Sequence, residues 1–285
     1  VTYLKLILVA IMWGGTFIAT KMAAEVFGSF TGASFRYLFA LAFMIPMMWL
    51  KDRRSFAITQ KQFRDFLILG ASGIFAYSFF FFNGLRLVSA SHGALIVALN
   101  PVLVLIMTAI MGREKINGIK IIGIIASLAG TSMVIARGNY ADLFSMFTWG
   151  DAFMLGCPIS WAFYTYFAKD ALKGSSPLQA STWAIIMGLC LILLFVPTET
   201  FPSSPIPPAI WLALLYLGVC GSVLGFVWYY EGIQKIGPLK TSAFNNLIPI
   251  FAMILSVVLL GETIHGYMIY GSALVIGGVY LINRV

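Results

Sequence analysis

Two adjacent amides, Asn245 and Asn246, stand inside the apolar run AFNNLIPIFAMIL (243–255), followed by Pro249. A third amide, Asn100, stands beside Pro101 in LIVALNPVLVLIM (95–107). An amide in an apolar medium costs several kcal/mol unless it is hydrogen-bonded. These side chains must therefore face other helices or a cavity, where they could hold a polar ligand. Neighbouring residues on a helix point about 100° apart, so one asparagine of the pair would meet such a ligand more directly than the other. Each proline removes a backbone donor and frees a carbonyl, which predicts a kinked helix lining a path. A plain packing kink is the alternative.

The aromatic residues suggest a complementary chemistry. Trp13, Tyr77, Trp161, Tyr164 and Trp228 could stack on a planar or apolar group or hold an ammonium over a ring face. Aromatic residues at helix ends also form interfacial belts, and Tyr229 and Tyr230 are assigned to one. Glu231 and His92 are candidates for binding a cation or relaying a proton. For Glu231 and Arg36 the preferred placement is the interface, solvated or snorkelling, and for His92 a structural role. With Arg36 near a span end, the apolar stretches offer little to hold a phosphate. Glu114 and Glu262 end helices, where the dipole disfavours anions, so they are expected to bond neighbouring helix starts or loops.

Other chemistries are excluded by what the chain lacks. It contains no phosphate-binding G-x-x-x-x-G-K-[ST] loop, no H-E-x-x-H and no G-x-S-x-G elbow. No enzyme activity, metal or cofactor is expected. Cys157, Cys190 and Cys220 lie in apolar stretches without metal or disulfide spacing.

The elements that must position these residues are membrane helices. Of 285 residues, 60% are hydrophobic and 10% charged, with mean hydropathy +0.94, whereas soluble domains carry roughly 25% charged residues. Ten stretches are long enough to span a bilayer: 3–23, 30–50, 66–86, 92–112, 117–136, 149–169, 177–197, 209–231, 238–260 and 265–283. The first opens an array of similar spans and is not read as a cleaved signal. Ten spans place fourteen Lys and Arg residues on one side and three (Lys21, Arg86 and Arg137) on the other. The positive-inside rule then puts both termini in the cytoplasm. The net charge of +8 is this orientation signal, and no nucleic-acid partner is expected.

The chain also repeats itself. Shifted by 148 residues, Trp13 meets Trp161, Lys21 meets Lys169, Pro101 meets Pro249 and Glu114 meets Glu262. Six of the twelve glycines in 1–137 land on glycine, where composition alone would give about one. Residues 1–137 and 149–285 read as two five-helix units joined by 138–148. Five is odd, so the second unit enters the membrane inverted. That architecture sets a substrate site near the midplane between the halves and suits alternating access. Gly123, Gly130, Gly271 and Gly278 read as close-packing positions, within or between protomers.

The stretches NGLRLVSASHGALIVALNPVLVLIMTAIMGRE (83–114) and EGIQKIGPLKTSAFNNLIPIFAMILSVVLLGE (231–262), with WGGTFIATK and SWAFYTYFAK, resemble EamA-type transporters of the drug/metabolite transporter superfamily. The resemblance covers essentially the whole chain. It departs at Arg113-Glu114, where the second copy has Gly261-Glu262. Within the superfamily the chain is most similar to bacterial exporters of aromatic amino acids. The resemblance implies an all-α inner-membrane carrier that exports small metabolites, amino acids foremost, as a monomer or homodimer. A drug or other metabolite carrier of the superfamily and, in a different class, a passive channel are the alternatives.

Overall fold

In lipid, every backbone N–H and C=O needs an internal partner, and a helix supplies one within a single segment. The computed structural model describes residues 1–51, 53–113, 115, 117–139 and 147–283, and its apolar stretches form ten helices. They are α1 (Thr2–Ala24), α2 (Ser29–Lys51), α3 (Gln60–Leu87), α4 (Ala90–Ile110) and α5 (Gly118–Ile135), then α6 (Trp149–Ala171), α7 (Pro177–Thr198), α8 (Pro208–Ile236), α9 (Lys240–Leu260) and α10 (Gly266–Asn283). Eight are long and apolar enough to cross a membrane; the exceptions are the more polar α6 and the shorter α10. Glu114, Arg284 and most of the 138–148 connection lie outside the described residues.

Two helices outrun their apolar stretches. α3 begins at Gln60, in the polar run QKQFRD, because Thr59 and Gln62 cap it reciprocally: Thr59 Oγ1 accepts from Gln62 N at 3.2 Å and Gln62 Oε1 accepts from Thr59 N at 2.9 Å. α8 continues to Ile236, and Gly237, at φ +87°, lets the chain turn before Pro238.

α4 breaks at Ala98-Leu99 and resumes at Asn100, with Pro101 at the start of the second segment. α9 breaks likewise through a 3₁₀ turn, Phe244–Leu247, before Ile248 and Pro249. The kink expected at each proline is present as a full interruption one turn ahead of it. A second matched irregularity had no expectation behind it. α3 is π-helical over Gly70–Ala76 and α8 over Leu217–Leu224, the same stretch under the 148-residue shift. π segments widen a helix and recur at functional sites.

Ties between helix ends repeat as well. Arg86 donates to the Ala24 and Phe27 carbonyls at 3.0 and 2.6 Å. Gln234, its equivalent, donates to Leu172 and Ser175, the equivalents of those two, at 3.4 and 3.2 Å. Lys21 likewise donates to the Leu85 and Val88 carbonyls. Two of the three basic residues on the sparsely charged face thus cap helix C-termini, where the dipole favours cations. On that face Glu262 accepts from Ala90 N (2.9 Å), Ser91 N (3.2 Å) and Ser91 Oγ (2.8 Å) at the start of α4. Glu199 does the same for Phe30 and Thr31 of α2.

α5 and α10 pack antiparallel. A Cβ on Gly123 would stand 2.5 Å from the Gly278 carbonyl oxygen, and one on Gly130 2.6 Å from that of Gly271. The glycine faces therefore meet within the protomer.

Candidate functional site

Seven of the remaining eight helices, all but α7, line a small cavity: Trp13, Thr16 and Phe17 of α1, Arg36 of α2, Tyr77 and Phe81 of α3, Val97 and Asn100 of α4, Trp161 of α6, Phe226 of α8 and Ile248 of α9. Trp13, Tyr77, Asn100, Trp161, Phe226 and Ile248 all stand toward the middle of their helices, so the cavity sits at the depth of the bilayer centre. The space it leaves open to water is ≈ 30 Å³, room for a water or two. A metabolite-sized guest therefore requires the walls to part.

Trp13 and Trp161, equivalent residues of the two copies, meet edge to face with ring centroids 5.2 Å apart. Their contact marks the axis relating the copies. Around them Tyr77 lies 5.3 Å from Trp161, Tyr229 lies 5.1 Å from Trp13, and Phe226 lies 6.1 Å from both tryptophans. The indoles are held by their N–H groups: Trp13 Nε1 donates to the Gly221 carbonyl in the π segment of α8 (2.9 Å), and Trp161 Nε1 to the Tyr229 hydroxyl (3.2 Å). The result is an aromatic box with fixed ring planes, a shape that suits an apolar or cationic group.

Three expected residues thus share the cavity with Asn100, and the others stand apart. Asn100 is buried, and its Oδ1 has no protein partner. Asn245 lies beside the Tyr229 hydroxyl, with Nδ2 unpartnered, and Asn246 is buried with Oδ1 unpartnered. Neither reaches the cavity, because the 3₁₀ turn carries both past it and Ile248 takes the lining position. Tyr164 backs Trp161 at 4.8 Å and stacks on Tyr230. Trp228 lies off the lining: it is about 200° around the helix from Phe226, partly buried, with Lys5 5.5 Å from its ring. Tyr229 and Tyr230 are almost wholly buried and belong to the core rather than to a belt. α8 continues beyond them, so they are not at its end.

The charged candidates resolve differently. Glu231 pairs with Lys5 at 2.7 Å and ties α8 to α1 near the basic face, away from the cavity. His92 Nε2 lies 2.6 Å from Asp151 Oδ1, both buried, where α4 of one copy meets α6 of the other. Asp151 also accepts from Thr148 N (2.9 Å) and Oγ1 (2.7 Å) in a capping box. The sequence reading passed over Asp151, although Thr148-x-x-Asp151 carries the capping signature. It misplaced Arg36. Far from snorkelling, this side chain is 4% exposed and lines the cavity. Its position in α2 gives depth, and only the packed α8 π segment shows that it points inward.

A model of the EamA-like transporter family matches the chain twice, over residues 1–136 and 148–284, and the chain belongs to that family. It is a multi-pass membrane protein of a transporter family and not an enzyme. Its relatives include the uncharacterized transporter YyaM of Bacillus subtilis, 30% identical over 99% of this chain and 93% of the relative. A probable terminal-alkyne amino-acid exporter of Streptantibioticus cattleyicolor is 25% identical over 98% and 92%. The uncharacterized inner membrane transporter YicL of Salmonella typhimurium is 24% identical over 98% and 94%. A solved crystal structure superposes with TM-score 0.74 at 19% identity, covering 99% of this chain and 96% of that one, a likeness of fold.

Proposed function

We propose that this protein is a secondary carrier that exports amino acids with large apolar side chains across a bacterial inner membrane. The observation that carries the reading is the mid-membrane box of Trp13, Tyr77, Trp161 and Phe226 with the unpartnered Asn100 amide beside it. Rings of fixed plane suit an apolar side chain, and a buried amide oxygen is an acceptor for an ammonium. The similarity to an amino-acid exporter, at 25% identity, points the same way. In this reading the matched breaks before Pro101 and Pro249 are the hinges, and the halves rock about the tryptophan contact. His92 and Asp151 are the place for a proton to couple to that motion, since the pair joins an imidazole to a carboxylate across the two copies.

Purified protein in liposomes loaded with unlabelled phenylalanine, leucine or tryptophan tests this by counterflow of the labelled compound, with and without a pH gradient. Saturable counterflow is expected. Trp161→Ala should lower it about tenfold, from loss of a buried aromatic wall. His92→Gln should remove any response to the gradient. Unsaturable flux or ion conductance would replace the carrier with a channel, and wild-type rates in Trp161→Ala would remove the box from the path.

A further inference from the structure

Arg36 is an unusual residue to find here. Burying a guanidinium is expensive unless its donors and charge are matched. Nε donates to Ser222 Oγ at 3.0 Å, and Ser222 Oγ is itself oriented by donating to the Leu217 carbonyl at 3.1 Å within the π segment. The guanidinium lies 5.2 Å from the Tyr37 ring centre and 6.0 Å from that of Phe226. Nη2 packs toward Gly221, where a Cβ would come within 3.6 Å. Among the described residues no carboxylate lies within ion-pair distance of Arg36, and its Nη donors have no hydrogen-bond acceptor. The acid that does reach α2, Glu199, is committed to that helix's start. The Nη end therefore looks into the cavity, whose lining also includes Asn100, its Oδ1 buried without a partner.

We propose that Arg36 is the anion anchor of the site, its guanidinium holding the carboxylate of the molecule carried while Asn100 Oδ1 accepts from that molecule's ammonium. A planar fork of donors matches a carboxylate in two parallel bonds. The ammonium of an α-amino acid stands one carbon away, where the amide oxygen and the ring faces of Trp13, Tyr77 and Trp161 are its complement. The anchor also spans the copies, because an α2 side chain is steadied by an α8 hydroxyl. A bound carboxylate thus touches both halves.

This inference rests on the carrier reading, but its test separates the two. Binding to the purified wild-type protein is followed by the fluorescence of its tryptophans, two of which line the cavity. The probes are phenylalanine, 3-phenylpropionate, which lacks the ammonium, and phenethylamine, which lacks the carboxylate. Both carboxylates should bind at least about tenfold more tightly than phenethylamine, as charged hydrogen bonds allow. Arg36→Gln should abolish the preference of the two carboxylates over phenethylamine, and Arg36→Lys, which keeps the charge without the fork, should fall between. The proposal is overturned if phenethylamine matches phenylalanine on wild type, if neither carboxylate binds, or if Arg36→Gln keeps the preference. The wild-type panel decides it even where a variant fails to fold. Binding of 3-phenylpropionate without transport of any amino acid would keep the anchor and reject the amino-acid cargo.

Discussion

Gly277 and Gly278 are neighbours in one helix, and the structure assigns opposite signs to the same substitution at each. Intrinsic propensity favours Ala over Gly inside a helix by about 1 kcal/mol. At Gly277 the added methyl meets nothing within 4 Å, so that preference should stand, giving a neutral or stabilised protein. At Gly278 the methyl would lie 2.5 Å from the Gly123 carbonyl oxygen and 2.8 Å from Ser127 N. An ordinary carbon–oxygen contact is about 3.3 Å or more, so α5 and α10 must part by roughly 0.8 Å. Both neighbours are helix backbone and cannot swing aside. Overpacking of this kind costs about 1–3 kcal/mol, which leaves Gly278→Ala about 0–2 kcal/mol less stable than wild type after the propensity gain, and about 1–3 kcal/mol less stable than Gly277→Ala. At about 2–4 °C per kcal/mol for a chain of this size, its Tm should fall by up to roughly 8 °C below wild type and lie roughly 2–12 °C below that of Gly277→Ala. Thermal melts of detergent-purified protein, read by the fraction that stays monodisperse, would show it. A Gly278→Ala protein that melts with or above Gly277→Ala would refute the seam.

Two further outcomes follow from the end ties. Arg86→Gln installs the residue that does the same job in the second copy, so it should cost under about 1 kcal/mol, whereas Arg86→Ala strips two carbonyls and should cost about 2 kcal/mol; equal Tm losses would break the equivalence. Glu262→Gln keeps an acceptor at the start of α4 but loses the charge–dipole attraction, about 1 kcal/mol or a few °C; Glu262→Ala should lose more, and an unchanged Tm in both would show that the cap carries no weight.

Much of the frame was legible in the residues. The 148-residue shift, the prolines and the run lengths fixed ten helices and their breaks, because a bilayer permits few alternatives for an apolar chain. Trp13 and Trp161 were readable as a pair for the same reason. What sequence position could not supply was direction. Arg36 lies about 10 Å into α2, a depth consistent with snorkelling outward or reaching inward, and the choice is made by the π segment of a helix nearly 190 residues later. The π turns themselves have no residue signature beyond the glycine matches at 70/218 and 73/221. The asparagine pair drew attention because its first-copy counterparts are Val97 and Ala98, yet the 3₁₀ turn takes both amides past the cavity, and the single Asn100 remains on it.

The glycine seam has one more implication. Gly123 meets Gly278, the copy of Gly130, and Gly130 meets Gly271, the copy of Gly123. Each half therefore offers the other the same surface, as in an isologous dimer. One five-helix unit facing an inverted twin would make the identical contact, and two binding orientations would then be degenerate. Fusing the twins into one chain frees each side to differ. Position 36 is arginine, and its counterpart Ala184 carries no charge. The polarity of the cavity thus breaks the symmetry that the seam preserves, and a guest has one way round to lie.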